Sequence, residues 1–159
     1  MGPLIDEPLR GRVRDAIDRA RAGGARLLTG GAEPPAGTDP GGFYVAPTLI
    51  ANATNQMTAV REEIFGPVVV VVPFDDDEEA IHIANDSDFG LYSYVFSGDT
   101  GRAWATAQRL RSGNVGINSL QRNHEAPFGG FKRSGMGREL GMAAMDHYTE
   151  VKNVFYSQD

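Results

Sequence analysis

The 159-residue sequence has no cysteine. Disulfides, thiolate metal sites and a cysteine nucleophile are therefore excluded within these residues. It also has no apolar run long enough to span a bilayer, the longest being Val68–Val72. Basic charge is scarce: 15 Lys and Arg stand against 21 Asp and Glu, for a net charge of −6 and a pI near 5.0. That balance argues against nucleic acid as a partner, which would demand a basic stripe. The opening residues Met1–Asp6 show neither the basic start nor the apolar stretch of a signal peptide, so a cytoplasmic location is expected. The 41% apolar and 23% charged residues are ordinary for a globular domain. A chain of this size can bury roughly 70% of its unfolded surface. Glycine is plentiful, at 20 residues, and its clusters mark turns and close backbone approaches.

Along the chain, Val13, Ala16, Ile17 and Ala20 recur at helical spacing among arginines and aspartates. They predict an amphipathic helix from Pro8 to about Ala22, stopped by Gly23-Gly24. Ala25–Thr29 and Phe43–Ile50 read as strands on either side of a Gly/Pro-rich loop at 30–42. Val68–Val72, bounded by Pro67 and Pro73, reads as a strand apolar on both faces. The acidic run Asp75–Glu79 suits the positive end of a following helix dipole. Leu91–Ser97 and Asn114–Asn118 predict strands around a helix with Thr100 near its N-cap and Ala103, Ala107 and Leu110 on one face. The alternation predicts an α/β fold: a mostly parallel open sheet with flanking helices. A further helix is expected over Arg138–His147 and a last strand over Tyr148–Tyr156.

Two stretches could carry chemistry. In Arg61-Glu62-Glu63-Ile64-Phe65-Gly66-Pro67-Val68, a carboxylate and an aromatic ring sit two residues apart at the mouth of a strand. Such mouths commonly bind ligands in α/β proteins. A carboxylate there can accept hydrogen bonds from a sugar diol, with the ring beside a flat heterocycle. On spacing alone, solvated glutamates and a core Phe65 are the favoured reading. The second stretch runs from Pro127 to Gly141 and is dense in glycine. Gly135, Gly137 and Gly141 miss the dinucleotide fingerprint by one residue, and no Gly-Lys-Ser/Thr triplet completes a phosphate loop. The histidines His82, His124 and His147 share no metal-ligand spacing, and the acidic run lacks the glycine and alternation of a calcium loop.

Taken in order, Met1–Ile5, Glu62–Val68, Val115–Asn118, Pro127–Gly130, Lys132, Ser134-Gly135, Gly137–Glu139 and Tyr148–Lys152 resemble the C-terminal part of the NAD(P)-dependent aldehyde dehydrogenase superfamily. The resemblance implies that Glu63 binds the hydroxyls of the nicotinamide ribose of NAD or NADP and that Phe65 packs beside the nicotinamide. It implies that Phe128 lines the aldehyde channel and that the loop Ser119–Ala126 helps decide which aldehydes fit. It divides the chain into residues 1–136, the end of the catalytic domain, and 137–159, an exit helix and oligomerisation strand. In this family a cysteine attacks the aldehyde and a glutamate general base activates water. Both lie upstream of the stretch matched here, so these residues carry no catalytic group and are expected to be inactive alone. A homo-oligomer, or a complex with a full-length relative, is expected through Tyr148–Tyr156. The alternative reading is a non-catalytic interaction module that pairs through that same strand. Exposed apolar surface is expected around Val68–Val72, Phe128 and the last strand.

Overall fold

In the computed structural model, which describes residues 1–158, the first helix, α1, runs from Glu7 to Ala22. Asp6 caps it by accepting the Leu9 N–H at 2.8 Å, Pro8 sits in the first turn, and Gly24 at φ +94° turns the chain away from its end. Its buried residues are Val13, Ala16, Ile17 and Ala20, the stripe expected from spacing.

Contacts divide the chain into two compact units, Met1–Asp76 and Asp77–Asp159. In the first, β1 (Arg26–Gly31) pairs antiparallel with β2 (Ala46–Ala51), which pairs parallel with β3 (Val68–Val70). The short helix α2 (Thr58–Arg61) sits in the β2–β3 connection and was not foreseen. Val13, Ile17 and Val45 form one core cluster, and Ala20, Ala25, Ile50 and Ala59 another; Ile64 and Val68 pack against both. Val13, Ile17 and Ile50 are wholly buried, each contributing about 1.5–3 kcal/mol.

The β3 ladder is shorter than the valine run. Its partner β2 ends at Ala51, Asn52 turns off at φ +54°, and only the Val71 N–H to the Ile50 carbonyl, at 2.8 Å, continues the pairing. Only one face of the run is covered. Val69 is 60% and Val71 45% exposed, in line with the apolar exposure expected there.

The second unit holds α3 (Asp77–Asn85), β4 (Phe89–Gly90), β5 (Tyr92–Val95), α4 (Thr100–Arg109), β6 (Asn114–Ile117) and β7 (Phe131–Lys132). A parallel crossover is present in β5–α4–β6, with Tyr92 opposite Asn114 and Val95 opposite Ile117. β4 pairs antiparallel with β7. The α/β class holds, with the strands shared among three small sheets. Asp99, not Thr100, caps α4 by accepting the Arg102 N–H at 3.0 Å. The acids that open α3 also clamp α4: Asp77 binds Arg102 and Glu78 binds Arg109, each in fork geometry. Ile81 and Ala103 are the buried apolar residues, so this unit leans more on polar bonds and close backbone packing than the first.

The last two elements differ from expectation. Arg138–His147 is not one helix. Leu140 and Gly141 adopt φ +61° and +56°, which no α-helix tolerates, and only Met142–His147 forms a 3-10 helix. Tyr148–Tyr156 joins no ladder among the described residues, because a strand needs a partner edge and none is supplied to it here. Its Tyr148, Val151, Val154, Phe155 and Tyr156 are all exposed.

Candidate functional site

Between α2 and β3 the segment Glu62–Pro67 is held at three points. Ile64 packs into both core clusters. Gly66 lies so close to α1 that a Cβ on it would meet the Val13 side chain at 2.6 Å. The Pro67 carbonyl accepts the Thr48 N–H at 2.8 Å. Held on both sides, Phe65 adopts φ +50°, where a bulky L residue pays roughly 1–2 kcal/mol. The residue is 71% exposed, so the core reading of Phe65 fails. Strain retained to present an aromatic ring to solvent is a mark of functional segments.

Phe65 and Glu63 line one cleft of about 460 Å³ in the first unit, together with Glu62, Ile64 and the Leu9, Arg12, Ala16 and Arg19 face of α1. The two glutamates differ in state. Glu62 pairs with the Arg19 guanidinium at 3.2 Å, whereas Glu63 has no hydrogen-bond or ion-pair partner among the described residues. A free carboxylate accepts from two neighbouring hydroxyls, and the ring two residues on offers a flat apolar face. This pairing of an acceptor with an apolar ring fits a ribose joined to an aromatic heterocycle.

Phe128 belongs to the second unit. It forms a backbone bridge with Glu139, each N–H donating to the other's carbonyl at 2.7 Å. Glycines press the chain together around it. A Cβ on Gly113 would lie 1.7 Å from the Gly129 carbonyl, one on Gly129 2.5 Å from the Gly137 carbonyl, and one on Gly141 2.5 Å from the Glu125 carbonyl. The glycine-rich stretch is thus a knot of backbone approaches that fixes Phe128. Lys132, at φ +55°, ties it to the end of α3 by donating to the Asn85 and Ser87 carbonyls at 2.8 and 2.9 Å. Burial holds its amine below the usual lysine range. His147 accepts the Arg138 N–H through Nε2 at 2.9 Å, a satisfied structural role.

The half-buried Phe128 lines a second cleft, of about 400 Å³, with Tyr92 of β5, the β6 strand, Leu140 and the loop residues Ser119 and Gln121–His124. The loop is braced by local bonds: Ser119 Oγ accepts the Gln121 N–H, and Asn123 Oδ1 accepts the Glu125 N–H. At its root Asn118, at φ +49°, exchanges two 2.8 Å bonds with the Ser97 backbone, extending the β5–β6 pairing by a side chain. Tyr92 was not foreseen, whereas Arg122 falls within the loop Ser119–Ala126 expected to help decide which aldehydes fit. Arg122 lies over the Phe128 ring at 5.1 Å and the Tyr92 ring at 5.9 Å. Tyr92 stands 30 residues before Arg122, so no local signal could pair them. No group of three His, Asp or Glu able to hold a metal ion occurs among the described residues, and no helix is long and apolar enough to cross a membrane.

The Aldehyde dehydrogenase family pattern matches residues 1–154, and the chain belongs to that family. It is 47% identical over 156 residues to a betaine aldehyde dehydrogenase of Cereibacter sphaeroides, covering 98% of this chain and 32% of the relative. Another, from Sinorhizobium fredii, is 44% identical with the same coverage. Among solved structures, a Mycobacterium tuberculosis aldehyde dehydrogenase complexed with NAD+ superposes with a TM-score of 0.90 at 43% identity, over 94% of this chain and 31% of that one. A Staphylococcus aureus betaine aldehyde dehydrogenase in complex with NAD+ gives 0.87 at 42% identity, over 93% and 30%. The chain therefore spans about a third of the length of the relatives it matches.

Proposed function

We propose that these 159 residues are the C-terminal part of an NAD(P)+-dependent aldehyde dehydrogenase and supply one side of its nucleotide cleft and part of its aldehyde channel. The observation that carries this reading is the unpaired Glu63 beside the strained, exposed Phe65 in one cleft, at the positions where the family resemblance expects the cofactor. Glu63 accepts from the nicotinamide-ribose hydroxyls, and Phe65 offers its face to the nicotinamide. Phe128, fixed by the glycine knot, excludes water from the channel wall. When bound, NAD(P)+ takes the hydride as aldehyde and water become carboxylic acid and a proton. These residues hold and orient; with no cysteine among them, they have no nucleophile of the family's kind. The 159-residue chain by itself is therefore expected to reduce no NAD(P)+ with any aldehyde. Reproducible turnover by the purified chain would refute that expectation. A cytoplasmic location belongs to the same proposal, consistent with the acidic composition.

A second reading, an interaction module, is favoured by one observation: the exposed and unladdered Tyr148–Tyr156 segment with its row of apolar side chains. Such a segment adds to a strand edge of a second copy or of a full-length relative. Light scattering together with capture of a full-length relative tests it. A stable monomer that captures nothing counts against both a homo-oligomer and that complex.

A further inference from the structure

The cleft around Phe128 carries one formally charged side chain, Arg122; Glu125 and Glu139, though close in sequence or by backbone, are not part of its lining. Arg122 is exposed, yet it does not stand free in solvent. Its guanidinium carbon lies 5.1 Å from the centre of the Phe128 ring and 5.9 Å from that of Tyr92, and Tyr92 is itself stacked on Tyr94 at 4.5 Å. No carboxylate or carbonyl holds its N–H groups among the described residues. With no anion on its N–H groups, the guanidinium keeps its fork of donors uncommitted, a fork whose geometry matches a carboxylate.

The same two rings are the natural cradle for a quaternary ammonium group, which has no donors and binds by cation–π attraction alone. Here a built-in cation already covers them. A trimethylammonium group entering the cleft meets like charge over both faces, whereas a carboxylate meets an unpaired guanidinium with Asn114, Gln121 and Asn123 beside it.

Resting on the reading of this cleft as the aldehyde side, we propose that Arg122 selects an aldehyde bearing a carboxylate at its far end and rejects one bearing a trimethylammonium group. Arg122 is here a specificity-determining residue that touches the tail of the substrate. Betaine aldehyde, named for several relatives, is then a poor substrate for the enzyme that contains this segment.

The test is ligand titration of the 159-residue chain by NMR, reading the ring signals of Tyr92 and Phe128, with three probes of similar size: butyrate, butyramide and choline. All three are stable and lack an aldehyde, so lysines do not react. Butyrate should bind about fivefold tighter than choline, the advantage of one partly solvated ion pair. In Arg122→Gln the preference should fall to within about twofold, and choline should gain as the rings are uncovered. Arg122→Ala serves as the second variant, and signal dispersion shows that each remains folded. Choline binding as tightly as butyrate in the unsubstituted chain, or a ratio unchanged in both variants, overturns the proposal. Butyramide separates the two layers. If it moves Phe128 but charge makes no difference, only the role of Arg122 fails; if no probe moves Phe128, the aldehyde-side reading and the role of Arg122 fail together.

Discussion

Replacing Gly113 by alanine probes the packing that fixes Phe128. The added Cβ would stand 1.7 Å from the Gly129 carbonyl oxygen and 2.8 Å from its carbon. Even a weak C–H···O contact needs about 3.3 Å between carbon and oxygen, so the strands must part by roughly 1.5 Å. The obstacle is backbone on both sides, and no rotamer change relieves it. Two bonds go with the displacement: the Gly113 N–H to the Gly90 carbonyl at 3.0 Å, and Asn114 Nδ2 to the Gly129 carbonyl at 3.2 Å. Overpacking costs about 1–3 kcal/mol and each lost bond about 1 kcal/mol, so a total of about 3–5 kcal/mol is expected. For a unit of this size that is a fall in Tm of roughly 12 °C or more. Urea titration followed by the near-ultraviolet signal of the second unit measures it. The control is Gly11→Ala, in the middle of α1 with open space around the new Cβ, which should stabilise the first unit by about 0.5–1 kcal/mol. A Gly113→Ala chain less than about 1 kcal/mol weaker than its parent would refute the reasoning.

Phe65→Asn should stabilise the chain by about 1 kcal/mol, since asparagine accepts positive φ more readily and the exposed ring packs on no core cluster. Thermal melting checks the gain, and titration with NAD+ should show weaker binding by the same variant; a destabilised Phe65→Asn chain would contradict the strain. The pairs Asp77–Arg102 and Glu78–Arg109 give a dependence on acid. Hydrogen bonds from the arginines hold both carboxyls below their ordinary values of 3.8 and 4.5, so the stabilisation is fully present above that range and fades as pH falls through the lowered values. Arg102→Ala combined with Arg109→Ala should flatten the fall in stability between about pH 5 and pH 2, measured by urea titration at each pH; an unchanged slope would show the clamps to be inert.

Much of the first unit is legible in sequence. The stripe Val13, Ala16, Ile17 and Ala20 and the stop at Gly23 are local facts, and they give α1 directly. Segments whose form depends on a neighbour are less legible. The valine run is apolar on both faces, and sequence alone does not say which face is covered; in the structure Val69 and Val71 lie on the open one. Arg138–His147 has helical composition, but Gly137 and Gly141 are drawn against His147 and the Glu125 carbonyl, and those approaches impose positive φ. Glu63 and Phe65 were found through the family motif, and the structure adds what spacing could not: Glu62 is committed to Arg19, Glu63 is not, and Phe65 is strained. Arg122 lies in the loop singled out by the family motif, but its own position was not legible, because it rests near two rings, one of them on a strand far back in the chain.

The most direct measurement is made in a chimera in which residues 1–154 replace the aligned third of the Cereibacter sphaeroides relative. The chimera should reduce NAD(P)+ in the presence of an aldehyde. Glu63→Ala in it should raise the KM for the nucleotide by about tenfold, the loss of roughly one charge-assisted hydrogen bond. Glu62→Ala, which removes only a solvated ion pair, should leave KM within about twofold. A folded chimera with no aldehyde oxidation, or one in which Glu63→Ala leaves the nucleotide KM unchanged, would contradict the assignment of this segment to the cofactor side of the cleft.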